Sequence, residues 1–121
     1  MIEQITDLPA GVLGFRARGQ VTAADYENVL VPDVEAAFAM NPKLRLMYHC
    51  GEDFTGFDAK AAWDDAKLGM RHFSGWERVA LVTDVGWLRV AARAMRFAIP
   101  AEFRLFANAE YEQAREWLLA P

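Results

Sequence analysis

His49 and Cys50 are the residues whose types most readily suggest chemistry: an imidazole that titrates near neutral pH beside a thiol whose anion is a nucleophile. Neighbouring residues of an extended strand point to opposite faces, so the pair is not expected to share a substrate or a metal ion. Cys50 then reads as a small buried residue, and as the single cysteine of the sequence it has no partner for an internal disulfide. His72 falls where a helix should end, a favourable place for a cation, and far in sequence from other ligand types. The spacing of Cys and His that marks a zinc site is absent, so neither a metal nor a cofactor is expected. Glu52, Asp53, Asp64, Asp65 and Asp84 could serve acid–base catalysis, yet acids at strand ends and on helix faces ordinarily cap and solvate. The sequence contains neither a glycine-rich phosphate loop nor a nucleophile elbow, and no catalytic residue is expected.

The elements that must position these residues follow from hydrophobic periodicity. Ile2, Ile5 and Leu8 open a first strand, Pro9 to Gly11 supply a turn, and Val12 to Arg18 make a second strand of an antiparallel hairpin. Thr22 and Asp25 resemble a capping box ahead of Tyr26, Val29, Leu30, Val34, Ala37 and Phe38, a helical spacing that Pro32 should kink or restart. Leu44 to Cys50 is a compact run suited to a central strand. A second helix should run from about Asp58 to His72, with Ala59, Ala62, Trp63, Ala66, Gly69, Met70 and Phe73 on its apolar side. Its other side would carry Lys60, Asp64, Lys67 and Arg71. Arg78 to Thr83 is a short buried strand, and Glu102 to Phe106 a fifth strand. Asn108 caps a last helix carrying Tyr111, Ala114, Trp117 and Leu118. The order ββαβαβαβα implies an α/β domain with a mostly parallel sheet and right-handed crossovers, and 121 residues suit a single domain.

Between the fourth and fifth strands, Val85 to Ile99 reads as a third helix, stopped by Pro100, that is apolar around most of its circumference. Its charges are Arg89, Arg93 and Arg96, whose spacings of four and three bring them onto one stripe with no balancing acid. Such a helix belongs in the core, or it presses an apolar flank with a cationic edge onto a membrane or a partner. The arginines interrupt it too often for it to span a bilayer. A net charge of −4 argues against general nucleic-acid binding. The N-terminal residues carry acids where a signal peptide has bases, and with one cysteine a cytoplasmic location is expected.

Several local signatures give the chain a family resemblance. Asp25-Tyr26 with Pro32, Trp63-Asp64, Trp87, and Phe103-Arg104-Leu105-Phe106 followed by Glu112, Ala114 and Trp117-Leu118 make it similar to the SpoIIAA-like family of small STAS-fold proteins, which are compared with CRAL-TRIO lipid-binding domains. The resemblance implies a five-stranded mixed sheet with flanking helices, no established enzymatic activity, and binding of apolar ligands or membranes. It further sets Asp53-Phe54-Thr55-Gly56 beside the Asp-x-Ser-Gly motif of STAS anti-sigma-factor antagonists, which makes Thr55 the candidate phosphorylation site. A phosphate there would add roughly −1.5 to −2 charges near a helix N-terminus.

Two functional expectations result. Trp63, Met70 and Phe73 of the second helix, with Trp87, Leu88 and Met95 of the third, are candidates for binding an apolar small molecule or lipid between two parting helices. Arg89, Arg93 and Arg96 would meet its anionic head group or a membrane surface. The alternative is a protein-interaction switch phosphorylated at Thr55. A homodimer suits either, because an exposed apolar helix can be covered by its own copy.

Overall fold

The computed structural model describes residues 1–98 and 100–121, the side chain of Met95 excepted. Five strands form one sheet in the order β1-β2-β3-β4-β5. They are β1 (Ile2–Ile5), β2 (Val12–Val21), β3 (Leu44–Phe57), β4 (Trp76–Thr83) and β5 (Glu102–Phe106). Only β1 runs antiparallel to its neighbour, pairing Ile2 with Ala17 and Ile5 with Gly14, so the expected hairpin and mixed sheet are present.

Three successive parallel connections run in one direction across the sheet, which with the usual right-handed crossover places their helices on one side of it. The packing agrees. Phe15, Tyr48 and Leu81 share a buried cluster with Tyr26, Leu30, Val34, Ala61, Leu68 and Ala92 of the helical crossovers. The helices on that side are α1 (Ala23–Asp25), α2 (Val31–Met40), α3 (Ala59–Arg71) and α4 (Gly86–Met95), with a π-helical segment at Tyr26–Leu30 between the first two. On the opposite side, Met47, Ala80 and Val82 meet Ala114 and Leu118 of α5 (Tyr111–Leu119), which follows a 3-10 turn at Asn108–Glu110.

The kink expected at Pro32 takes a particular form. Pro32 lies in the first turn of α2, where its missing N–H costs least, and the π segment before it carries the wider hydrogen-bond spacing. Thr22 begins this run with the expected capping box, accepting from the Asp25 N–H while Asp25 accepts from the Thr22 N–H at 2.8 Å.

Three strands are longer than periodicity suggested, β4 by beginning at Trp76 rather than Arg78. β2 reaches Val21 and β3 reaches Phe57, so Glu52 to Phe57, expected as a loop, is strand. The pairing slips between Ala17 and Gln20, where Gly19 takes a φ of +56°, a bulge conformation that side chains avoid. α4 ends at Met95, short of the expected Ile99, which lies outside the described residues. The final helix is anchored by two strand arginines. Arg45 donates to the Leu118 and Ala120 carbonyls, Arg78 to those of Trp117 and Ala120, and together they satisfy acceptors that a helix C-terminus leaves open.

Candidate functional site

Asp58 sets the start of α3. Its carboxylate accepts from the Ala61 N–H at 2.7 Å and from the Ala23 N–H at 3.3 Å, tying two helix starts together. From there α3 is rotated relative to the apolar face read from the sequence. It buries Ala61, Asp64 and Leu68, while Ala59, Ala62, Trp63, Ala66, Met70 and Phe73 face solvent. The cause is polar. The Tyr26 hydroxyl, buried beneath the helix, donates to Asp65 Oδ1 at 2.8 Å and lies 3.0 Å from the Tyr48 hydroxyl. A hydroxyl has one proton, so Tyr48 donates to Tyr26 and Tyr26 to Asp65. Burial pushes the Asp65 carboxyl up and the Tyr26 donor pulls it back; burial likewise raises the Cys50 thiol, to about 12, with Asp65 adding to it.

With Asp65 turned inward, residues two positions away on a helix point outward. Trp63 is 63% exposed, Met70 68% and Phe73 42%. Lys60, Lys67 and Arg71 flank this stripe, paired with Glu27, Asp64 and Glu35 respectively.

α4 presents a second apolar surface. Leu88 and Ala92 pack inward, whereas Trp87, Val90 and Ala94 face out, followed by Phe97 just beyond the helix. Trp87 is 54% and Phe97 80% exposed. Trp87 also leans on Phe54 and Phe57 at the end of β3, with ring centroids 6.2 and 6.4 Å away. The arginine stripe runs along the border between the two faces. Arg89 donates to the Thr83 carbonyl at 2.8 Å, while Arg93 and Arg96 are exposed, Arg96 lying over the Phe97 ring at 4.7 Å. The Met95 side chain lies outside the described residues.

The expected ligand residues therefore divide. Trp63, Met70, Phe73 and Trp87 form outward surface, and Leu88 belongs to the core. Two clefts of about 320 and 350 Å³ occur elsewhere, the first around Pro9, Lys43 and Leu119, the second around Arg16, His49 and Asn108; none of the apolar candidates lines either.

Thr55 stands inside β3, three residues ahead of the Asp58 cap, and its side chain is exposed. The position expected for it, a loop adjoining a helix N-terminus, is thus corrected. Gly19 and Gly56, with φ of +56° and +144°, let the two strands stay paired past their irregular stretch. His49 and Cys50 do point to opposite sides: His49 packs against Tyr111 near α5, and Cys50 sits in the other cluster. Asp64, read as solvated, is buried with Lys67 3.6 Å away. The inward acids and their tyrosines are what the sequence reading missed; Tyr26 and Tyr48 on inward positions were the available signal.

No helix among the described residues is long and apolar enough to cross a membrane, and no group of three or more metal-ligating side chains occurs among them. A search of curated proteins finds no match. A crystal structure of an uncharacterized DUF3478-family protein with a SpoIIAA-like fold, from Shewanella loihica PV-4, is 30% identical and superposes with a TM-score of 0.79, over 98% of this chain and 92% of that one. The SpoIIAA-like family model matches residues 12–119, and with a sheet, helix order and length to suit, the chain belongs to the SpoIIAA-like family.

Proposed function

We propose that the outer surface of α3 and α4 binds an amphiphile with an anionic head group, and that the protein associates peripherally with anionic membranes through it. The observation that carries this reading is the outward apolar stripe of Trp63, Met70 and Phe73 together with Trp87, Val90 and Phe97, bordered by the exposed Arg93 and Arg96. An enclosed apolar pocket is the weaker form of the idea, because these side chains face outward. Half-burial of each large apolar side chain is worth about 1 kcal/mol. Each arginine near a charged bilayer adds about 1 kcal/mol. Together these reach the micromolar range of partition, roughly 8 kcal/mol.

Co-flotation with phosphatidylcholine vesicles, and with vesicles containing phosphatidylserine, tests the proposal. Salt-sensitive binding to the anionic vesicles is expected, lost in Arg93→Gln/Arg96→Gln and in Trp63→Ser/Trp87→Ser. Arg89 is left intact because it holds the Thr83 carbonyl. Absence of binding to both vesicle types refutes the reading. Concentration-dependent dimerisation abolished by the tryptophan pair would instead assign the stripe to a second copy of this chain.

The second reading, a phosphorylation switch, draws support only from the exposure of Thr55. Incubation with cell extract and ATP followed by phosphopeptide mapping decides it; no label at Thr55 removes it.

A further inference from the structure

α5 is the only helix on its side of the sheet among the described residues, and it covers β3 and β4 more than the ends of β2 and β3. There a cleft of about 350 Å³ opens, lined by Arg16, His49, Gly51, Glu52, Asp53 and Asn108. Arg16 and His49 are cross-strand partners, on the face that also carries Met47 and Val82. This is the carboxyl end of a parallel sheet, where open α/β folds place their ligands.

The polar groups of the cleft are incompletely matched by the protein. Arg18, two residues on, is paired with Glu3 at 3.2 Å and Asp53 at 3.0 Å. Among the described residues Arg16 makes no ion pair, and its Nε is buried without a hydrogen-bond partner. Asn108 Oδ1 is buried as well, where it serves as a hydrogen-bond acceptor for the His49 ring. His49 is 9% exposed, and its ring is wedged against Tyr111 with centroids 5.1 Å apart. Burial and the Arg16 charge hold the imidazole below its usual range, with Asn108 and Asp53 opposing. It is therefore neutral at pH 7, offering one donor and one acceptor. A buried guanidinium nitrogen left open beside a neutral imidazole, whose second ring nitrogen accepts, calls for a ligand that accepts from the first and donates to the second.

We infer that the Arg16–His49–Asn108 cleft binds the oxyanion of a small polar metabolite that also carries a hydroxyl donor, as a hydroxycarboxylate or a phosphate does. Arg16 supplies the charge and the forked donors, while the acceptor nitrogen of His49 takes the hydroxyl. Asp53 is already neutralised by Arg18, which leaves Glu52 at the cleft as the unpaired acid opposing an anion.

The test uses the whole chain, isotope-labelled, with inorganic phosphate, glycolate and acetate as probes and chloride at equal ionic strength as the control. Saturable shifts of the His49 ring signals are expected with phosphate or glycolate, with acetate weaker than glycolate because it lacks the hydroxyl. A bound anion favours the imidazolium, so the His49 titration moves upward on saturation. Arg16→Gln should weaken binding by at least about tenfold, while Arg16→Lys, which keeps the charge and loses the fork, falls between. Phosphate alone assigns a phosphorylated ligand, and glycolate alone a hydroxy acid. Equal shifts with chloride, no saturation with either probe, or full binding by a folded Arg16→Gln overturns the inference.

Discussion

Replacing Tyr26 with phenylalanine removes one oxygen from the middle of a relay and leaves the ring in place. In the native chain Tyr48 donates to Tyr26 and Tyr26 donates to Asp65, with both tyrosines buried. The variant strands two groups: a carboxylate that loses its donor, and a Tyr48 hydroxyl that loses its acceptor. A hydrogen bond to a charged group contributes about 1.5–3 kcal/mol, and a hydroxyl left unsatisfied costs about 1–3 kcal/mol. The expected loss is on the order of 4 kcal/mol, a large part of the roughly 5–15 kcal/mol that holds a domain together. Urea denaturation followed by tryptophan fluorescence would show a midpoint lower by about 2 M, given a slope near 2 kcal/mol per M. The pH dependence supplies a sharper check. Burial raises the folded-state pKa of Asp65, so between its ordinary value and the raised one the folded state holds more protons, and stability falls as pH climbs through that window. The Tyr26 hydroxyl limits that rise, so removing it widens the window and makes the cost larger at pH 8 than at pH 4.5. A loss below about 1 kcal/mol, or one unchanged across that pH range, refutes the relay.

Asp65→Asn keeps an oxygen for the Tyr26 hydroxyl and removes the buried charge, so it should raise stability at pH 7 by about 1 kcal/mol and flatten the pH profile, both measured by denaturation. Arg78→Ala deprives the Trp117 carbonyl of its donor at 2.9 Å and leaves the Ala120 carbonyl to Arg45 alone, and should cost about 1–2 kcal/mol while speeding amide exchange in α5 more than in α3. Two glycines should respond in opposite directions in thermal melts. A methyl at Gly75 would meet Phe38 at 2.5 Å, in the stack Phe38 makes with His72, and should cost about 1–3 kcal/mol. A methyl at Gly69, inside α3 with open space around it, should stabilise by about 0.5–1 kcal/mol.

Most of the architecture was legible in the sequence because it follows from local signals. The five strands and the crossover helices lie where apolar runs and caps put them, and Asp58 and His72 bound α3 as their types suggest. What escaped was decided at a distance. The extension of β3 to Phe57 depends on pairing with β2 across a bulge at Gly19, which no run of side chains near Thr55 announces. The anchoring of α5 by Arg45 and Arg78 joins residues more than thirty positions apart. For the candidate surface, the sequence identified the residues and misjudged their direction. The period of α3 is the same whichever face is inward, and the choice fell to a tyrosine hydroxyl on another helix.

That choice bears on function. The rotation that turns Asp65 toward Tyr26 necessarily turns Trp63 away from the sheet, since the two are about 200° apart on a helix. The inner side is then filled by Ala61 and Leu68 against Tyr26 and Leu30, so the core closes without the large outer side chains. Trp63, Met70 and Phe73 thus contribute little to the packing beneath them, yet a soluble surface would be served as well by polar residues at each position. The same holds for Val90 and Phe97, since α4 already packs inward through Leu88 and Ala92, while Trp87 rests partly on Phe54 and Phe57 and leaves 54% of its surface exposed. Under the proposed function, apolar side chains that the core does not require, on two helices of one sheet face and with two exposed arginines on the second, are the surface that meets an anionic amphiphile. A bilayer surface supplies both of the chemistries they match.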